Sequence, residues 1–321
     1  MSGDSLKDRM SDSITMNPEA RALSTFGRSW RYGELAERVE RMTDTLDRLG
    51  VGPGRRLGLL LPPVPTGAMA MLAAFRLGAE VVAVNPMQRG DELLDRLSVL
   101  DDGVLVTLDL TRLQDRWVRV FPDLGLEAVL VEKMSELLPF PRNILMPMMR
   151  GGEIASIPRN DRTAPLPKVL RAAAVGREWP RVAGASVRAA DGPASSEAAV
   201  LRGVDALLRI AGGAKRWMLV HHLDAPWAMT ALMAPLTAGR DLVLMPRLDR
   251  RTVARALAKE RPQVALLSAA VAEELAEKPP EPGTLDLAVV PPGVENKTRK
   301  LLKRATGCRV EVWDGPDGQP V

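Results

Sequence analysis

Apolar positions in the first part of the chain follow two spacings, one typical of amphipathic helices and one typical of buried strands. Residues 33–50 carry apolar side chains three or four positions apart, which predicts a helix that ends at Gly50. The apolar runs 57–61 and 81–84 are short and bounded by turn residues, as buried strands are. An apolar helix is predicted between them, at 67–77. Strands that alternate with helices in this way predict an α/β protein with a mostly parallel sheet.

The same alternation returns in the last third of the chain. A helix is predicted from 195 to 210, and a strand follows at 217–220. A helix at 227–236 then leads to a strand at 242–244. Further helices and strands of the same kind are predicted at 250–261, 264–267, 285–290, 295–304 and 309–312.

The region between these two parts has a different sequence pattern. Prolines punctuate residues 137–192, which is typical of a connector with irregular structure. A chain of 321 residues is long enough for about two domains of ordinary size. We therefore predict a first α/β subdomain at 1–165, a linker at 166–194 and a second α/β subdomain at 195–321.

Composition narrows the classes of function. Hydrophobic residues make up 46% and charged residues 26% of the chain, which predicts a folded globular protein. The net charge is +4, with no dense Lys/Arg block and 3% aromatic residues, so we expect no nucleic-acid partner. The single cysteine, Cys308, excludes an internal disulfide and a cysteine-ligated zinc site. His221 and His222 are the only histidines, so no metal site is expected.

Two stretches bear on location. Residues 1–17 are polar and lack the apolar core of a signal peptide. The longest apolar stretch, 67–84, is interrupted by Arg76 and Glu80, so no transmembrane helix is predicted. Together with the single cysteine, these features predict a cytoplasmic protein.

Several segments resemble adenylate-forming enzymes in sequence and in order. They include Ser-Trp-Arg-Tyr-Gly-Glu-Leu at 29–35, the stretch 49–57, Phe-Arg-Leu-Gly-Ala at 75–79 and Leu-Met-Pro-Arg-Leu-Asp at 244–249. The similarity is most pronounced with bacterial long-chain fatty-acid–CoA ligases and covers most of residues 20–321. These enzymes use ATP and Mg²⁺ to convert a carboxylic acid to an acyl-adenylate, and then pass the acyl group to CoA. The resemblance implies the N-terminal part of their fold, two stacked α/β subdomains, with the C-terminal mobile domain absent.

The phosphate-binding loop of that family departs from its pattern here. The family carries a Thr/Ser/Gly-rich loop that ends in Pro-Lys-Gly and supplies donors to the phosphates. The corresponding residues 190–196 contain one glycine, no lysine and the acidic Asp191. The resemblance makes Ser195 and Ser196 candidate nucleotide-binding residues. The alternative is that one of them caps the following helix.

The family's Tyr-Gly-x-Thr-Glu segment, which serves the nucleotide and Mg²⁺, is also altered. The matching residues 311–321 lack the threonine. By resemblance, Trp313 and Asp314 are candidate nucleotide-binding residues, and Asp317 is a shortened substitute for the glutamate and the candidate catalytic residue. The alternative is a solvated turn at 315–318.

The resemblance places the residues that would contact the acyl group around the predicted helix at 227–236. Trp227, Met229 and Thr230 are its candidate acyl-pocket residues. An ungapped match places Asp224-Ala225 where the family carries Phe-His. His221 and His222 lie upstream, and their alternative role is that of a strand-end surface pair.

Three interpretations of the function remain open. The first is a degenerate and truncated relative of the ligases, catalytically inactive, that binds an acyl compound or a partner protein. The second is a divergent fatty-acid–CoA ligase, which would need ATP, Mg²⁺ and CoA. The third is the remnant of a once-complete gene.

Residues 137–149 contain many apolar side chains beside Arg142 and Arg150, which predicts a contact surface for a membrane, an acyl chain or a partner. The alternative is that residues 137–149 pack in the core between the two subdomains.

Overall fold

The computed structural model describes residues 5–149, 151–179, 182–189 and 192–316, in which helices and strands alternate along the chain. The helices are α1 (Leu6–Met16), α2 (Tyr32–Arg48), α3 (Pro65–Arg76), α4 (Gly90–Ser98), α5 (Thr111–Val120), α6 (Arg142–Met149), α7 (Leu166–Ala172), α8 (Glu197–Ala211), α9 (Pro226–Leu236), α10 (Arg250–Glu260), α11 (Ala269–Glu277) and α12 (Asn296–Thr306). The strands are β1 (Arg21–Thr25), β2 (Arg28–Arg31), β3 (Arg56–Leu59), β4 (Glu80–Ala83), β5 (Val104–Leu108), β6 (Ala128–Glu132), β7 (Thr163–Pro165), β8 (Ser186–Ala189), β9 (Ser195–Ser196), β10 (Arg216–Val220), β11 (Asp241–Leu244), β12 (Val264–Leu267), β13 (Leu287–Val290) and β14 (Arg309–Val312).

Within the described ranges, the strands form two seven-stranded sheets. The first has the order β7-β6-β5-β3-β4-β8-β9, and the second has the order β14-β13-β12-β10-β11-β1-β2. Neighbouring strands are parallel except for the edge pairs β1–β2 and β8–β9. The prediction of an α/β protein with mostly parallel sheets is therefore confirmed. Parallel strands end at the same edge of a sheet, so the loops that follow them meet there.

Two helices lie between the sheets and are apolar on every side. Every residue of α3 up to Phe75 is buried, and so is every residue of α9 after Pro226. Helix α3 contacts β1 and β4, and helix α9 contacts β8 and β10, so each helix touches both sheets. A helix that is hydrophobic all round is stable only inside a core, which explains why these two form the centre of the protein. A second core packs α10, α11 and α12 on the outer face of the second sheet.

The two sheets do not divide the chain at the predicted subdomain boundaries. Strand β1 pairs with β11 in parallel, with Leu23 opposite Leu242, so residues 21–31 lie in the sheet built mainly from residues 216–312. The predicted linker 166–194 contains α7 and β8, and β8 pairs with β4. Both pairings join segments more than 100 residues apart, and local periodicity carries no signal for such pairings.

Two features of the described residues bear on membrane insertion and metal binding. No helix there is both long enough and apolar enough to cross a lipid bilayer. No group of three or more His, Cys, Asp or Glu side chains there is arranged to hold a metal ion.

Candidate functional site

Side chains that follow β4 and β10 meet between the two sheets. The side-chain amide of Asn85, two residues after β4, donates a hydrogen bond of 2.8 Å to Oδ2 of Asp224. The Asn85 carbonyl oxygen accepts a hydrogen bond of 2.8 Å from the backbone N–H of Met87. Nδ1 of His221 lies 3.8 Å from Oδ1 of Asp224 and 2.7 Å from the carbonyl oxygen of His222. This pairing joins the first sheet to the second at the carboxyl ends of their strands.

His222 stands beside this pair and is partly buried. Burial lowers the pKa of its imidazole below the ordinary value, against the opposing effect of Asp224. Its Nδ1 is buried and has no hydrogen-bond partner among the described residues. We therefore expect a neutral ring at pH 7, which gives no positive charge to an anionic ligand.

Three rings lie one against the next, tilted by 32° and 50°, beside the Asn85–Asp224 pair. The Trp227 ring lies 5.1 Å from the His221 ring and 5.2 Å from the Trp313 ring, measured between centroids. Nε1 of Trp227 donates a hydrogen bond of 2.7 Å to the carbonyl oxygen of Trp313. Trp227 is 7% exposed and Trp313 is 4% exposed. We call His221, Trp227 and Trp313 the aromatic stack.

The segment after β14 packs closely on the helices beneath it. A Cβ added at Gly315, which has a φ of +90°, would lie 3.4 Å from Cδ1 of Trp227. A Cβ added at Gly203 of α8 would lie 2.8 Å from Cα of Pro316 and 3.0 Å from Cγ2 of Thr230. Residues 313–316 therefore fill the space over α8 and α9.

The candidate nucleotide-binding residues fall into separate environments. Ser195 is buried in β9, whereas the Ser196 hydroxyl accepts a hydrogen bond of 3.3 Å from the Ala199 N–H and caps α8. The predicted cap of this helix is thus confirmed for Ser196. Trp313 is buried in the aromatic stack and Asp314 is exposed. Asp317, the candidate catalytic residue, lies outside the described residues.

The candidate acyl-pocket residues lie in α9, inside the core. Met229 and Thr230 are fully buried, and the Thr230 hydroxyl has no hydrogen-bond partner among the described residues. The structure brings Trp227 together with Trp313, and Thr230 and Pro316 both lie beside Gly203. The roles of these residues in binding stay predictions.

Two buried carboxyl groups at the ends of β5 and β6 were missed by sequence reasoning. Burial raises the pKa of Glu132 to about 7 and that of Asp109 to about 6, although hydrogen bonds partly offset the shifts. Glu132 accepts hydrogen bonds of 2.8 Å from the Thr66 hydroxyl and 2.9 Å from the Lys133 N–H. Asp109 accepts one of 2.7 Å from the Met134 N–H. An acidic residue at the end of an apolar run is the signal that could have revealed each of them.

A cavity of about 670 Å³ opens where β1 and β11 end. Its walls come from the β1–β2 turn, the segment 134–146 that includes the start of α6, the end of β11, and α10. Sequence reasoning did not find it, because its walls come from four segments that are far apart in the chain. The volume lies within the usual range of small-molecule sites, about 300–1,000 Å³.

Residues 137–149 divide between the core and the surface. Leu137 and Leu138 are buried, as the core-packing alternative expects, whereas Phe140 is 78% and Ile144 is 56% exposed. The side chains of Met148 and Met149 lie outside the described residues. The predicted contact surface is thus limited to the residues around the start of α6 and stays a prediction.

The chain was compared with known proteins in sequence and structure. Residues 10–143 match the family model described as AMP-binding enzyme. The long-chain-fatty-acid–CoA ligase of Bacillus subtilis (strain 168) is 25% identical over 149 residues, which are 46% of this chain and 26% of the ligase. The acetyl-coenzyme A synthetase of Halorhodospira halophila is 34% identical over 124 residues, which are 39% of this chain and 18% of the synthetase. The matched stretches thus span about a quarter or less of these relatives.

The fold is shared with a solved ligase over nearly the whole chain. The benzoate CoA ligase from Burkholderia xenovorans LB400 superposes with a TM-score of 0.76, covering 96% of this chain and 60% of the ligase at 15% identity. At that identity the likeness shows the fold alone. The resemblance stated from the sequence is confirmed, and so is the fold of the N-terminal part of these enzymes.

Proposed function

Because this chain resembles AMP-binding acyl-CoA ligases in sequence and has the fold of their N-terminal part, we propose that it is an acyl-CoA synthetase-like pseudoenzyme that binds an acyl compound without adenylating it. The observation that carries the proposal is the packing of residues 313–316 onto Trp227. The resemblance assigns this segment to the nucleotide and Mg²⁺, yet here it fills the space over α8 and α9.

The charges at the strand ends also argue against phosphate chemistry. Transfer of an adenylyl group builds negative charge on phosphate oxygens, which must be met by fixed donors and cations. Residues 192–196 contain no lysine, the Ser196 hydroxyl already caps α8, and Asp224 adds a carboxylate beside the aromatic stack. The described residues therefore do not fit a bound MgATP.

The divergent ligase stays the second candidate, supported by the coverage of the fold match. Such a ligase would use ATP, Mg²⁺ and CoA and would rely on Asp317 for the metal. We expect ATP–pyrophosphate exchange with saturated fatty acids of several chain lengths to stay at the level of a protein-free control. Exchange that survives repurification, and that falls at least a hundredfold in Asp317→Ala but not in the exposed-site control Asp286→Ala, would contradict the pseudoenzyme proposal.

We also propose a peripheral membrane contact through residues 137–149. Phe140 and Ile144 project into solvent beside Arg142, an arrangement that suits a headgroup boundary. Burying these two side chains in lipid contributes about 1.5–3 kcal/mol each, so we expect their replacement to weaken binding at least tenfold. The proposed location is the cytoplasm, in keeping with the buried free thiol of Cys308.

Co-sedimentation with vesicles of anionic phospholipid tests this contact. The double variant Phe140→Asp and Ile144→Asp is expected to pellet at least tenfold more weakly than the wild type. Val118→Asp, a change at an exposed apolar residue of α5, is the matched control and should pellet like the wild type. Equal pelleting of all three proteins, or none by the wild type, would rule the contact out.

A further inference from the structure

Strand β14 forms one edge of the second sheet. It pairs with β13, and no other strand lies beside it within the described ranges. The N–H of Arg309 donates a hydrogen bond of 2.9 Å to the carbonyl oxygen of Asp286, so Arg309 turns its backbone groups toward β13. Along a strand of a parallel sheet, successive residues turn their backbone groups to opposite sides. The N–H and C=O groups of Val310 and Val312 therefore point away from the sheet.

This edge is regular and firmly held. Its register with β13 is continuous from Arg309 to Val312, and the strand contains no proline. The side chains of Val310 and Val312 pack against the core beneath α10, α11 and α12, whereas Arg309 and Glu311 are exposed. A regular run of free backbone donors and acceptors is a template for one more strand. The outward-facing groups of β14 thus suit an extended segment.

The helix beside this edge is strongly basic. Helix α12 contacts β14 and carries no acidic residue but five cations, which are Lys297, Arg299, Lys300, Lys303 and Arg304. All except Arg299 are exposed, and none of the five has an ion-pair partner in the described part of the chain. Helix α11, which carries three exposed glutamates, crosses from β12 to β13 and so lies on the side of α12 away from the edge. The charge next to the free edge is therefore positive.

A second copy of this chain fits the edge poorly. Antiparallel pairing of two β14 strands would extend the sheet across a two-fold axis, with α12 on the same face of the sheet in both copies. The two α12 helices would then lie side by side, each with five cations and no carboxylate. Like charges brought together at an interface are strongly unfavourable. The edge therefore favours an occupant with negative charge.

We propose that the β14 edge binds an extended acidic segment of a partner protein, which adds a strand to the second sheet. The backbone groups of Val310 and Val312 supply the main-chain hydrogen bonds, and the cations of α12 attract the acidic side chains on that face of the added strand. Binding of this kind depends on ionic strength, because exposed charges are screened by salt. The inference goes beyond the proposed acyl-binding function and requires no acyl compound.

Fluorescence anisotropy with a labelled eight-residue peptide of alternating valine and glutamate tests the proposal. The wild type is expected to bind this peptide at low salt, and to bind it at least tenfold more weakly in 0.5 M NaCl. A peptide of alternating valine and lysine should not bind. The acidic peptide should also slow the hydrogen exchange of the Val310 and Val312 amides, which a contact through charge alone would leave unchanged.

Two pairs of variants separate the backbone from the charge. Val310→Pro removes an outward N–H, a change that edge strands tolerate, and should weaken binding at least tenfold, whereas the matched control Val310→Ile keeps the N–H and should bind like the wild type. Lys303→Glu combined with Arg304→Glu should also weaken binding at least tenfold at an unchanged melting temperature. Arg251→Glu combined with Lys259→Glu, at exposed positions of α10, changes the net charge equally and should bind like the wild type.

Several results would overturn the added strand. They are peptide binding that is equal in Val310→Pro and Val310→Ile, binding that is equal in the two charge variants, and no binding to the wild type at all. A wild type that dimerises in light scattering, and that becomes monomeric in Val310→Pro, would show that a second copy occupies the edge instead. If Val310→Pro fails to fold, the hydrogen exchange of residues 309–312 and the two charge variants decide. Acyl binding and pyrophosphate exchange are measured separately, so neither is judged by these results.

Discussion

Replacing Trp227 by alanine is expected to lower the free energy of unfolding by about 3–5 kcal/mol, the usual cost of removing a buried aromatic side chain. The ring is 7% exposed, stacks between His221 and Trp313, and lies against Gly315. Its loss leaves a cavity and leaves the carbonyl oxygen of Trp313 without its indole donor. Urea denaturation followed by circular dichroism measures the change.

Two further variants show which part of the interaction matters. Trp227→Phe keeps most of the ring but removes the N–H, so we expect a smaller loss that includes about 1 kcal/mol for the hydrogen bond. Trp179→Ala is the control, because that ring is half-buried at the edge of the core and lies under the Arg177 guanidinium. A Trp227→Ala protein as stable as the wild type would show that the aromatic stack does not hold residues 313–316 in place.

Replacing Glu132 by glutamine is expected to stabilise the protein at pH 8 by on the order of 3 kcal/mol and to have little effect at pH 4. Burial raises the pKa of this carboxyl from 4.5 to about 7. The folded state therefore holds a proton that the unfolded state releases, so this group's contribution to stability is complete below pH 4.5 and is lost as the pH rises through about 7. Glutamine is neutral at every pH and can still accept the Lys133 N–H and contact Thr66.

Urea denaturation of both proteins between pH 4 and pH 8 measures the difference in slope. Glu127→Gln, at an exposed site just before β6, is the matched control and should keep the slope of the wild type. A smaller slope of the same sign is expected to remain in Glu132→Gln, because burial also raises the pKa of Asp109 to about 6. If Glu132→Gln and the wild type lose stability in parallel between pH 5 and pH 8, Glu132 is ionised in the folded protein at neutral pH.

Local patterns predicted the individual elements well. The helix predicted at 33–50 is α2, the strand predicted at 57–61 is β3, and the apolar helix predicted at 67–77 is α3. Helix α1 was missed because its polar face dominates the composition of residues 6–16. Its inner face rests on Leu6 and Met10, which are buried and spaced four residues apart. Hydrophobic spacing is a local property of the sequence. It shows which face of a helix or strand is buried, but it does not show which other element packs against that face.

The candidate site shows the same difference between interactions within a short segment and contacts between distant residues. The Ser196 cap depends on one side chain and a backbone N–H three residues away, so the sequence contains the whole interaction. Glu132 and Asp109 each end an apolar run, and only their burial in the folded protein changes their chemistry. The contact between Trp227 and Trp313 joins residues 86 positions apart, and it turns one predicted nucleotide residue and one predicted acyl residue into packing partners.

The sequence by itself determined the order of helices and strands, the resemblance to adenylate-forming enzymes and the altered residues at the strand ends, because each of these is a property of a short segment. Only the tertiary structure decided that β1 lies beside β11, that the aromatic stack closes over α9, and that the β1–β2 turn, α6, β11 and α10 enclose one cavity. These features depend on which distant segments pack together. That choice follows from the total burial of apolar surface across both sheets, a quantity that no local pattern contains.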